Sequence, residues 1–204
     1  MILLGTIAAV YAELPAPSYR VHLEQGAAQA VAQLARDQGL DAARRFAEEW
    51  QKELGTSAAL AYELGLACRL AGQDAEARQH LDRALKLDPE HLAARYDRGE
   101  LRLLEGDLDG AAEDFALVVR LAPGRWAGHF RLADLAARKR DIPGLSAHLD
   151  DALRSGFDLR TLIGDPRWRE WLTDPELGPP LRTLILEYGG DDVLSAIERG
   201  AAFP

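Results

Sequence analysis

Few side chains in this sequence are spaced for covalent chemistry. In GLSAH, residues 144–148, a nucleophile and a base come close together as Ser146 and His148. Two positions apart on a helix they point in different directions, so the ring cannot take the hydroxyl proton. The glycine that follows the serine of a nucleophile elbow is missing as well. His80 and His91 flank an Asp-Pro step, while His129 and His148 belong to one predicted helical hairpin. None of these histidines has a recognisable metal-ligand spacing. Phosphate-binding loops, dinucleotide glycine patterns and zincin motifs do not occur. The sequence leads to the expectation of no catalytic residue, no metal site, no cofactor and no enzyme.

Composition narrows the remaining classes. With 204 residues the chain is one ordinary domain or an array of smaller units. Alanine, leucine, glutamate and arginine dominate and β-branched residues are sparse, which favours an all-helical protein. A net charge of -9 argues against a general binder of nucleic acid or anionic membranes. Cys68 is the single cysteine, so an intramolecular disulfide is impossible, and a helical pattern around it suits a small buried hydrophobe. No stretch reaches the roughly 18 apolar residues of a transmembrane span.

Residues 1–20 are read as an apolar, proline-containing segment. MILLGTIAAVYA is uncharged, and Val10 and Ala12 would suit cleavage after Ala12, but a signal peptide should open with positive charge. The cytoplasm is favoured; export is the alternative if residues 1–12 are such a signal. Pro15 and Pro17 break this segment from the rest of the chain.

The elements that position any site come from a repeat. ALKLDPEH and VVRLAPGR each stop a helix, and Pro123 follows Pro89 by 34 residues. One unit, 58–91, reads AALAYELGLACRLAGQDAEARQHLDRALKLDPEH; the next, 92–125, reads LAARYDRGELRLLEGDLDGAAEDFALVVRLAPGR. Gly65 and Gly99, with Ala77 and Ala111, are small where two helices of a unit must approach closely. Gly72 and Gly106 can take the left-handed conformation that ends a first helix. Asp74 and Asp107 are expected to help cap the second. Pro89 and Pro123 then end it, since their rings cannot continue the hydrogen-bond ladder.

These two units resemble the tetratricopeptide repeat, a 34-residue helix–turn–helix module. Leu64, Gly65, Gly72, Ala77, Leu81, Ala84 and Pro89 carry the match in the first; Gly99, Gly106, Ala111, Phe115 and Pro123 carry it in the second. A third unit, 126–157, is degraded, with Arg140 where glycine is expected and Pro143 near the start of its second helix. A divergent unit, 22–57, turns at Gly39. The array as a whole is assigned to residues 21–157. Residues 158–204 are read as capping helices, because the last unit of an array otherwise leaves apolar surface in water. Two Asp-Pro steps, at Asp165 and Asp174, open short helices there, and Trp168, Trp171, Leu172, Leu177, Leu181 and Leu184 could cover the end. Such Asp-Pro tails resemble those of bacterial repeat proteins. The fold the resemblance implies is an α-solenoid, a right-handed superhelix of helical hairpins.

Arg98 stands where the neighbouring units have Leu64 and Leu132. A lone arginine on a packing face is costly unless paired, and the pattern YDRG with AEDF resembles a repeat variant that pairs Arg98 with Asp114. The resemblance also implies that first helices line a concave groove. Tyr62, Tyr96 and Phe130 would form an aromatic row in it, with Leu66, Glu100 and Asp134 on the same stripe and Glu63, Asp97 and Arg131 at its border. The partner so implied is another protein, a peptide or helix of basic or apolar character, with no nucleic acid. Tyr62 and Leu66 replace the lysine and asparagine with which some family members grip a C-terminal carboxylate, so that mode is not expected here. The function this supports is a protein-binding adaptor. The alternative is a structural subunit docked through its convex face or its tryptophan-rich tail.

Overall fold

A computed structural model describes residues 16–200. The apolar segment 1–12 and its suspected cleavage point lie outside the described residues. Every regular element among those described is helical. Between Leu104 and Glu105 the chain divides into two compact units.

The first unit holds α1 (Ala16–Gln38), α2 (Leu40–Leu54), α3 (Ala58–Leu70), α4 (Asp74–Leu87) and α5 (Leu92–Leu104). Pro17 falls in the first turn of α1, where its missing N–H costs nothing. At Gly39, φ 86°, the chain turns from α1 into α2. Ser57 caps α3 by accepting the Leu60 N–H at 3.4 Å. Gly72, φ 72°, ends α3 as expected. At the far end of α4, Asp88 accepts the Glu90 N–H at 3.0 Å around Pro89, and the ladder stops.

Asp74 corrects one expectation. Gln73 occupies the cap position of α4 and makes no side-chain cap bond, so Asp74 is already the first helical residue. It contributes only a favourable charge to the helix N-terminus. Asp107 stands one place earlier in its own repeat and does cap, accepting the Gly110 N–H at 2.9 Å.

Two apolar clusters hold this unit. Leu23, Ala27 and Val31 on one face of α1 meet Phe46 and Trp50 of α2 and Leu60 and Leu64 of α3. Ala61 and Cys68 join Ala77, Leu81 and Leu85 of α4 with Ala94 and Leu101 of α5. Gly65 permits the close approach of α3 and α4. A methyl group there would lie 3.1 Å from Leu81 Cγ and 3.3 Å from the Ala77 carbonyl oxygen.

The second unit holds α6 (Leu108–Leu121), α7 (Trp126–Lys139), α8 (Ile142–Arg154), a 3₁₀ turn (Leu159–Leu162), α9 (Pro166–Thr173) and α10 (Gly178–Arg199). Arg140 takes the left-handed conformation, φ 57°, at the end of α7 where the other repeats have glycine. Asp141 caps α8 through the Gly144 N–H, with Pro143 inside its first turn. The first Asp-Pro step opens α9, with Asp165 accepting the Arg167 N–H at 3.0 Å. The second differs from expectation. Asp174 accepts the N–H groups of Glu176 and Leu177 and forms a turn that closes α9 and leads into α10. Its Pro175 precedes the helix instead of starting it. Gly190, φ 73°, kinks α10.

Trp168, Leu172, Leu177, Leu181, Ile185 and Ile197 form one apolar core with Leu145, Leu149 and Leu153 of α8. The tail thus packs against the last hairpin. Trp171 and Leu184 pack against this core from its edge.

Candidate partner-binding surface

Within the first unit, α1, α3 and α5 are the leading helices of successive hairpins, and the expected groove residues fall on the latter two. Tyr62 of α3 reaches α5, where its hydroxyl donates to Asp97 Oδ2 at 2.9 Å. Arg69, two turns along α3, donates to the other oxygen of the same carboxylate at 2.8 Å. One acid therefore ties two helices together by bonds separated by more than a turn. The Tyr62 ring also lies 4.8 Å from that of His91. Burial first, then the Asp97 charge, pushes the Tyr62 hydroxyl well above the ordinary tyrosine range, so it stays protonated as a donor. Leu66, Tyr96 and Glu100 are all half-buried.

Glu63 lines a different feature. Between α1 and α3 lies an open cleft of about 690 Å³, walled by Gly26, Gln29, Ala30, Gln33 and Arg36 of α1 and by Glu63 of α3. Burial raises the Glu63 carboxyl above the usual range; Arg36 counters this and Asp97 adds to it. The carboxylate is thus short of solvation at the wall of a cleft that small and amide side chains leave open.

Phe130, Arg131 and Asp134 belong to the second unit and are committed there. The Phe130 ring stacks on Phe157 with centroids 4.3 Å apart and on Trp168 at 5.6 Å. Arg131 sits 5.7 Å from the Phe130 centroid. Asp134 is fully buried, accepting from Arg138 at 2.9 Å and from Arg167 of α9 at 3.1 Å. A charge so enclosed must be paired, and these two guanidiniums pair it. Asp134 therefore fastens the cap to α7 and presents no free carboxylate to a partner.

Arg98 donates to Asp82 of α4 at 2.8 Å. Asp114, its expected partner, is almost wholly buried. Sequence reasoning missed the Asp82 contact, and it missed Arg44 of α2, which bonds Glu76 of α4 at 3.1 Å. Tyr62 and Asp97 carried a legible signal, being one repeat plus one residue apart.

Helical hairpins recurring every 34 residues, small residues at their crossing points and a covered last turn define a helical-repeat protein. A family model for the tetratricopeptide repeat matches residues 58–91. Human tetratricopeptide repeat protein 36 is 33% identical over 126 residues, 60% of this chain and 62% of that one. This chain thus spans less than two thirds of that relative's length. Two solved structures share the fold. MamA from Desulfovibrio magneticus RS-1 has a TM-score of 0.63 at 19% identity, covering 83% of this chain and 94% of its own. Pseudomonas aeruginosa PilF has a TM-score of 0.62 at 15% identity, covering 90% and 86%. The chain carries a tetratricopeptide repeat and shares the helical-repeat fold of these proteins. Its fold suggests a role in protein–protein interaction or scaffolding. Among the described residues, no helix is long and apolar enough to cross a membrane.

Proposed function

We propose that the first unit acts as a non-enzymatic adaptor, holding a partner segment along α1, α3 and α5. The supporting observation is Glu63, a half-buried carboxylate at the wall of the α1–α3 cleft. A lysine or arginine from the partner would restore the solvation this acid has lost. Gln29 offers an amide group to a backbone, and Gly26 and Ala30 leave room for it. The cleft has the size of a pocket for a few side chains. Tyr96 and Leu66 extend the surface along α5 and α3, while Tyr62 and Asp97 brace it. Packed helices present the surface ready-made, so docking orders little of the adaptor.

Docking through the tryptophan-rich tail is less well supported, because Trp168 is fully buried and Trp171 packs edge-on against it at 5.0 Å. Affinity capture from the native cell with wild-type, Glu63→Lys and Tyr96→Ala baits tests the proposal. The expected result is a co-purifying protein lost with Glu63→Lys and weakened with Tyr96→Ala, while thermal unfolding of the baits is unchanged. Undiminished capture by both variants would contradict it.

A further inference from the structure

The hairpin α7–α8 brings together three groups that the sequence keeps apart. His129 projects from α7, and His148 and Asp151 stand three residues apart on one face of α8. One nitrogen or oxygen from each lies within 4.8 Å of the other two. His129 is only 8% exposed, His148 is half-buried and Asp151 is open to solvent. We propose that His129, His148 and Asp151 form a binding site for a divalent transition-metal cation of the zinc type.

Distances favour this. His129 Nδ1 stands 3.5 Å from Asp151 Oδ2, long for a hydrogen bond. Donors placed 2.0–2.1 Å from a tetrahedral ion are separated by about 3.4 Å, close to that spacing. The His129–Asp151 pair is already near that spacing, and the exposed Asp151 side chain can adjust to an ion by rotation. The imidazole centroids are 5.8 Å apart.

Unsatisfied atoms point the same way. Nδ1 of His129 and Nδ1 of His148 are both buried without a hydrogen-bond partner. Buried polar atoms rarely stay unpaired, and a shared cation would serve both rings. Burial, then the neighbouring His129, holds the His148 pKa below the ordinary histidine value, against the pull of Asp151 and Asp141.

The ligand set selects the class of ion. Two imidazoles and one carboxylate suit zinc, copper or nickel better than magnesium or calcium, which prefer oxygen alone. Three protein ligands leave a fourth position, and the exposed side of Asp151 lets water fill it. A bound ion would also clamp α7 to α8 in the degraded repeat. Cys68, Glu76 and His80 make a second cluster within the same reach, but the Arg44 guanidinium sits on Glu76 and would repel a cation.

The test is titration of the full chain, stripped with chelator, with zinc by calorimetry and with cobalt by visible absorption. The expected result is one equivalent bound in the micromolar range or tighter, with the intense cobalt band of a tetrahedral site. His148→Ala and Asp151→Asn should each weaken binding by about tenfold or more, and His80→Ala should leave it unchanged. Asp151 is at the surface, so its variant keeps the fold and reports on the ligand alone. Zinc bound no more tightly by wild type than by His148→Ala or Asp151→Asn, or binding lost with His80→Ala, would overturn the proposal.

Discussion

In the hairpin α3–α4 the turn passes through Gly72, whereas in α7–α8 it passes through Arg140, a residue that rarely takes a positive φ. The contrast continues along the first helices. Tyr62 of α3 links to α5, the next leading helix, through its hydroxyl, and Phe130 of α7, the counterpart two repeats on, stacks on Phe157 and Trp168. The regular hairpin keeps the family's small residues and leaves an open cleft beside Glu63. The degraded hairpin gives its groove-face residues to the tail: Phe130 and Asp134 both hold the cap. A position in the repeat pattern therefore identifies a face, and the neighbouring element decides whether that face is free.

The largest expected effect falls where the cap meets α8. Trp168→Ala should cost about 4 kcal/mol in chemical denaturation, as large core truncations do. A loss below about 1 kcal/mol, the scale of surface changes, would show that the tail is not the lid of this core. Next comes Asp134→Ala, expected to cost about 2 kcal/mol. That is below the usual range for a broken buried pair, because Arg138 and Arg167 keep 31% and 39% of their side-chain exposure. Retained stability there would mean that the buried acid is dispensable and that the degraded hairpin holds its cap by apolar contact alone.

In the regular hairpin, Tyr62→Phe removes one hydrogen bond and should cost about 1 kcal/mol. Asp97→Ala should cost more than Tyr62→Phe, since it also strands Arg69. The smallest change is expected for Arg140→Gly. Glycine relieves about 1 kcal/mol of left-handed strain. The same substitution removes contacts to Asp174 and Glu176 at the exposed rim, which are worth little in solvent. The net shift should lie within about 1 kcal/mol of zero, and a large loss would give those rim contacts a weight they are not expected to carry.

Much of the fold was legible because backbone requirements leave local marks. Gly39 and Gly72 announced turns, Pro89 a stop, Gly65 a close crossing, and Trp168 with its leucines a cap. Asp74 misled because a cap depends on register to within one residue, and the two repeats differ there by one. The candidate site was less readable. Tyr62, Tyr96 and Phe130 share one repeat position, yet nothing local reveals that Phe157 and Trp168 come to cover the third. Asp134 looked like a groove acid until Arg167, 33 residues on, was seen to reach it. His129, His148 and Asp151 belong to two helices, and the hairpin turn alone brings them within reach of one another.

Hydrogen exchange on the captured complex tests the central claim most directly, that a partner lies against the leading helices of the first unit. The account predicts slowed exchange in α1, α3 and α5 around Gln33, Glu63 and Tyr96, with α9 and α10 unchanged. Protection confined to α9 and α10, with the α1–α3 cleft exchanging as in the free chain, would contradict it.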